Sequence, residues 1–136
     1  MGRIIALDYG KVRTGIAVTD ELQLIASGLT TVETNKLLPY LTDYLAEEEV
    51  SEIVIGQPFQ LNHIPSEIEA AIGPLIKKLK KLFPDIPIAR QDERFTSKMA
   101  VQSMVQGGLK KKKRRDKALV DEISATLILQ AYLNRK

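Results

Sequence analysis

Residues 4–18 read IIALDYGKVRTGIAV, two apolar runs divided by a carboxylate, Asp8, and a short turn around Gly10 and Lys11. An unbroken run of Ile, Ala and Leu is the pattern of a strand covered on both faces, and the separation of the two runs is that of a hairpin. Such a chain needs helices to cover its sheet. A third extended segment, ASGLTTVE at 26–33, predicts that the hairpin continues as an antiparallel meander.

The remainder supplies the cover. From Asn35 to about Glu49, residues Leu37, Leu38, Leu41, Tyr44 and Leu45 recur at helical spacing with a polar opposite face. SEIVIGQP at 51–58 reads as a short buried strand stopped by Pro58. A second amphipathic helix is expected over about 66–83, with Ser66 as its N-cap and Glu69 completing a capping box. DIPIARQ at 85–91 reads as another strand. After DERFTS a helix of about ten residues is expected to end at Gly107 and Gly108, followed by a basic run and a last helix from about Asp116 to Asn134. Three strands, then strands alternating with helices, predict an α/β fold with a mixed sheet, parallel in its second half and covered on both faces. The 136 residues fit a single domain, 1–136.

Composition narrows the chemistry. There is no cysteine, so disulfides and thiolate zinc sites are excluded, and the one histidine, His63, cannot build a histidine cluster. Any metal is expected to be held by oxygens. No window reaches the ~18 apolar residues of a membrane span and no secretory leader pattern is visible, so a cytoplasmic protein with no membrane partner is expected. The net charge of +3 is unevenly spread, because KKKKRRDK at 110–117 alone carries +6 and the rest of the chain −3. A positive field confined to one segment is a local binding surface for a polyanion.

Three acids are placed where chemistry is possible. Asp8 directly follows an apolar strand, and in open sheets reactive groups gather at the carboxyl ends of parallel strands. Asp92 and Glu93 in RQDERF also follow a strand; because side chains alternate, only one of the two is expected to point toward Asp8, with Arg94 able to neutralise the other. Asp121 lies in KALVDEISATLILQAYL, a helix apolar nearly all round, with Ala118, Ala125, Ile128 and Tyr132 on its side. Small neighbours let that helix lie close to the sheet and carry Asp121 toward the strand ends, while Glu122 projects about 100° away and is the alternative acid. Asp8 could instead cap its turn or pair with Lys11 or Arg13, and Asp121 could simply favour the positive end of its helix. Three carboxylates without histidine or cysteine suit Mg²⁺ or Mn²⁺, one ion or two, and such sites suit phosphodiester hydrolysis. Lys110, Lys111, Lys112, Lys113, Arg114 and Arg115 stand just before the helix of Asp121 and would hold a nucleic acid beside it. Gly10 and Gly15 are expected to keep side chains out of the path of that backbone.

In combination, IIALDYGKVRTGIAVTD, IVIGQP, QDERFTS and KALVDEISATLILQAYL resemble the YqgF family, whose members are named as Holliday-junction resolvases or as nucleases of precursor 16S ribosomal RNA. The resemblance spans essentially the whole chain. It implies a ribonuclease-H-like three-layer fold, a five-stranded mixed sheet flanked by helices, and metal-dependent phosphodiester cleavage. It matches the family acids to Asp8, Glu93 and Asp121, and supplies a substrate, the 5′ end of the small-subunit ribosomal RNA precursor, with the pre-ribosomal small subunit as a partner. Lys11, Arg13 and Arg94 join the basic run as expected nucleic-acid contacts, and a monomer or weak homodimer is expected. GQPFQLNHIPSE departs from the family's GLPLNMDGT-like loop in lacking its acid and glycine, and His63 within it is assigned no role.

Two readings from other classes stand beside the nuclease. DYGKVRTG fits the D-x-G-x-x-x-x-G phosphate loop of actin-like ATPases, although those proteins need two such lobes. A catalytically silent RNA-binding assembly factor would keep the same fold and basic run. With no Trp and few other aromatics, backbone recognition with steep salt dependence is expected to dominate nucleic-acid binding.

Overall fold

A computed structural model describes residues 2–57, 67–92 and 117–135. Three strands come first, β1 (Arg3–Tyr9), β2 (Arg13–Thr19) and β3 (Ala26–Glu33). A 3₁₀ turn (Thr34–Lys36) leads into α1 (Leu37–Glu47), then β4 (Val50–Gln57), α2 (Glu67–Leu82), β5 (Ile88–Asp92) and α3 (Lys117–Asn134). The sheet order is β3-β2-β1-β4-β5. β1–β2 and β2–β3 are antiparallel, whereas β1–β4 and β4–β5 are parallel. The expected meander and mixed sheet are therefore what the chain forms; the helix expected after DERFTS and the cap at Ser66 lie outside the described residues.

Period-two alternation divides each apolar run between two cores. Ile5, Leu7, Ile16, Ile53 and Ile55 face α1 and α2, where Leu37, Leu41, Ile72 and Leu79 close over them. Ile4, Ala6, Ala17 and Val54 face α3 and meet Ala125, Ile128, Leu129 and Tyr132. Each fully buried Leu or Ile contributes roughly 1.5–3 kcal/mol. The first core is built from large side chains, whereas the second includes Ala6, Ala17 and Ala125, and the α3 backbone comes down onto β2 at Gly15. Tyr132 also donates its hydroxyl to the Glu52 carboxylate, tying α3 to β4.

Two boundaries differ from the sequence reading for local reasons, and one helix carries an interior proline. The strand expected at 85–91 begins only at Ile88, because Ile86 N–H donates to the Phe83 carbonyl at 3.1 Å in a turn and Pro87 has no N–H for the ladder. α1 ends at Glu47, since Glu48 is already extended with φ −118 and ψ 139. α2 carries Pro74 in its interior; that residue is exposed, so water can reach the carbonyl left without an amide partner.

Candidate active site

The site is assembled at the edge where β1, β3, β4 and β5 end. Asp8 occupies the last-but-one position of β1, half-buried, on the same face as Ile4 and Ala6. Its direct partner across the antiparallel ladder is Gly15. A Cβ built on Gly15 would lie 2.0 Å from the Asp121 carbonyl oxygen, so the backbone of α3 rests directly on β2 at this point. Asp121 thus stands over the strand neighbour of Asp8, two carboxylates 113 positions apart brought to one corner of one face.

Arg13 fixes that arrangement. It lies two residues before Gly15 on the same face of β2, and its Nε donates to Asp121 Oδ2 at 2.9 Å. The expectation that Asp121 is carried to the strand ends by a close-packed helix is met, and its carboxylate has a cation partner there. The turn after Asp8 is pinned as well. Thr34 N–H donates to the Val12 carbonyl at 2.9 Å, and its hydroxyl donates to Gly10 carbonyl oxygen at 2.6 Å.

Other sequence candidates are separated by the fold. Asp92 pairs in register with Gln57 and shares its face with Ile88 and Arg90, the α1–α2 side, opposite to Asp8. Glu122 reaches over β3, where a Cβ on Gly28 would lie 2.6 Å from its Oε1, two strands away from Asp8. Gly15 serves the packing of α3 rather than leaving a path for a nucleic-acid backbone, and Gly10 serves the turn, since a Cβ there would meet the Arg13 carbonyl at 2.5 Å. The same packing counts against the phosphate-loop reading, because α3 covers the second glycine of that pattern. Glu93, Arg94, His63 and Lys110–Arg115 lie outside the described residues.

Arg90 holds a position that the sequence pattern does not mark. It donates to the carbonyls of Ile55 at 3.2 Å and Gly56 at 2.9 Å, and to Glu69 Oε1 at 2.5 Å, clamping the ends of β4 and β5 to α2. The only available signal was an arginine inside an apolar strand, whose charge has to find partners when buried. Glu69, expected to complete a capping box with Ser66, accepts from Arg90 through this oxygen, and Ser66 lies outside the described residues.

Among the described residues no group of three or more acids or histidines converges as a metal centre. Asp8 and Asp121 nevertheless offer the hard, anionic oxygens that Mg²⁺ and Mn²⁺ favour, and the Arg13 guanidinium already places positive charge against one of them. The donor chemistry fits such an ion. No helix among the described residues is long and apolar enough to cross a membrane.

A mixed sheet in this order, with helices on both faces, is the ribonuclease-H-like arrangement, and solved structures share it. The Fowlpox virus resolvase in complex with Holliday junction DNA superposes with a TM-score of 0.62 at 11% identity, covering 98% of this chain and 97% of that one. The RuvC of T. thermophilus in complex with a Holliday junction substrate gives 0.58 at 18% identity, covering 98% and 96%. Sequence relatives are nearer. A protein of Christiangramia forsetii named "Putative pre-16S rRNA nuclease" is 61% identical over 133 residues, 98% of each chain. Proteins bearing the same name in Flavobacterium psychrophilum and Phocaeicola vulgatus are 56% and 57% identical over 136 residues, all of this chain and 99% and 98% of theirs. The family profile described as "RuvX: Holliday junction resolvase" matches residues 2–135, and the chain belongs to that family.

Proposed function

We propose that this chain is a single-domain, metal-dependent endonuclease that hydrolyses phosphodiester bonds at the 5′ end of precursor 16S ribosomal RNA in the cytoplasm. The observation that supports the proposal is the seating of the α3 backbone at Asp121 on Gly15, the ladder partner of Asp8 near the carboxyl end of the central strand. Glu93 is the third carboxylate of this site, one position beyond β5. The relatives of more than half identity named for pre-16S rRNA favour RNA as the substrate. The family description favours the second reading, resolution of DNA four-way junctions by the same acids.

In the mechanism the chain's residues hold and orient. Asp8, Glu93 and Asp121 would bind Mg²⁺ or Mn²⁺, one ion or two. Bound there, a divalent cation supplies water activation and neutralises charge on the phosphate being cut. Asp8 is held rigidly because its strand is bonded on both sides, by β2 and β4. Arg13 keeps the Asp121 carboxylate in place through its Nε. Lys11, Arg94 and Lys110–Arg115 contact phosphates and steer the polyanion to the carboxylates, alongside the remaining donors of Arg13. The protein acts on the pre-ribosomal small subunit as a monomer or weak homodimer.

The test is cleavage of end-labelled precursor ribosomal RNA and of a DNA four-way junction in parallel, with Mg²⁺, with Mn²⁺ and with chelator. Metal-dependent cutting of the RNA at a defined 5′ position is the expected result. Cutting of the junction alone selects the resolvase reading, and binding of RNA without cleavage under either metal selects a silent assembly factor.

A further inference from the structure

Asp8 and the next residue, Tyr9, look to opposite sides of the sheet. Asp8 faces α3, while Tyr9 packs against the core under α1 and α2. On the Tyr9 side a groove of about 280 Å³ opens between the start of α1 and the middle of α2. Leu38, Pro39 and Pro74 give it apolar walls beside the Tyr9 ring, and Asn35 and Lys78 provide its polar groups. Asn35 and Lys78 are both exposed, and among the described residues Lys78 has no carboxylate partner.

We infer that this groove seats one unpaired nucleotide that flanks the cut, where the strand passes over the end of β1 from the Asp8 face to the Tyr9 face; the inference rests on the nuclease reading of the Asp8 edge. Four features select this occupant. The groove opens at the same end of β1 as Asp8, one residue along and on the other face of the sheet, so a strand crossing that end can reach both. Its volume lies just below the ~300–1,000 Å³ of ordinary ligand pockets, enough for one nucleoside and too little for a base pair. Tyr9 and the two prolines offer flat apolar surfaces, and stacking tolerates any base because every base has a π face. Lys78 complements a phosphate, and the Asn35 amide can both donate to and accept from a base edge. A base inside a duplex has neighbours on both faces and a partner on its edge, so it cannot enter. The protein therefore distinguishes a frayed or single-stranded tail next to the cut from a continuous helix.

The experiment is an abasic scan. RNA strands spanning the cut, each missing one base, are bound and cleaved by the native protein, by Tyr9→Leu, by Tyr9→Phe and by Lys78→Ala, with thermal melting to verify folding. One abasic position within a few nucleotides of the cut is expected to lower native affinity about tenfold, the order of one lost base–aromatic stack. Tyr9→Leu should lose the same factor on the intact strand and nothing more at that position, while Tyr9→Phe retains the native pattern. Lys78→Ala, a change at an exposed residue, should weaken binding and reduce the salt slope by about one. A flat scan with normal cleavage overturns the groove assignment and leaves the nuclease standing. Free nucleoside monophosphate competing as tightly as the strand overturns seating of a strand nucleotide. A native protein that neither binds nor cuts any strand overturns the nuclease reading itself.

Discussion

Arg13 and Asp121 stand 108 positions apart and meet at 2.9 Å, with the arginine side chain 36% exposed and the aspartate 24%. At that exposure water screens the pair, so its worth to stability is about 1 kcal/mol or less, while its worth to geometry is larger because it orients a carboxylate of the site. Arg13→Ala is expected to leave the urea midpoint nearly unchanged and to lower the cleavage rate at least about tenfold, since a misplaced group costs far more in catalysis than in folding. A variant that cuts at the native rate would remove Arg13 from this role. At the other end of β2, Asp20 closes the turn that leads to β3. The amides of Ile25 and Leu24 donate to its Oδ1 at 2.8 Å each and that of Leu22 to its Oδ2 at 3.2 Å. These bonds, that of Ile25 foremost, hold the carboxyl below the ordinary aspartate value of 3.8. A depressed folded-state pKa gives stability that is present above the unfolded value and lost as pH falls through the folded one. Urea unfolding at pH 7 and pH 3 should therefore find a smaller acid loss in Asp20→Asn than in the native protein; equal losses would exclude the linkage.

Helix α3 is the element on which the site depends, and its closeness to the sheet is set by Gly15, Ala17, Ala6 and Ala125. Gly15→Ala places a methyl group where the Asp121 carbonyl sits, and backbone cannot step aside as a side chain can. Overpacking of this kind costs about 1–3 kcal/mol or more, and the displaced helix takes Asp121 with it. The expected result is a lowered melting temperature together with lost cleavage; a variant native in both would show that α3 is not seated as described. At this scale the sequence was legible where its pattern was local. Strands β1 to β3 followed from apolar runs at hairpin spacing, and the seating of α3 from alanines flanking an acid. What was not legible depended on distant partners. Nothing near Arg13 in the chain points to Asp121, and nothing near Glu69 points to Arg90. The apolar Ile86 makes the strand read longer than β5 is, because Pro87 has no N–H to give the ladder.

The molecule as a whole separates its charges. Removing residues 110–117 leaves a net −3, so affinity for a polyanion is expected to come chiefly from that run, with local cations such as Lys78 adding to it. The apparent affinity for RNA is expected to fall steeply between about 50 and 200 mM salt, by up to ~10³-fold if six phosphates are contacted, as a titration at several salt concentrations would measure. A flat response would mean that the basic run does not bind backbone. Two acids from distant parts of the chain, placed at one end of one sheet face around Gly15, remain the centre of the account. Single-turnover cleavage of precursor RNA with Mn²⁺ by the native protein and by Asp8→Asn, a change of similar shape that removes the negative charge, tests this most directly. The account predicts cutting by the native protein, none with chelator, and a loss of at least about a thousandfold in Asp8→Asn with RNA binding retained. Cleavage by Asp8→Asn at the native rate would contradict it.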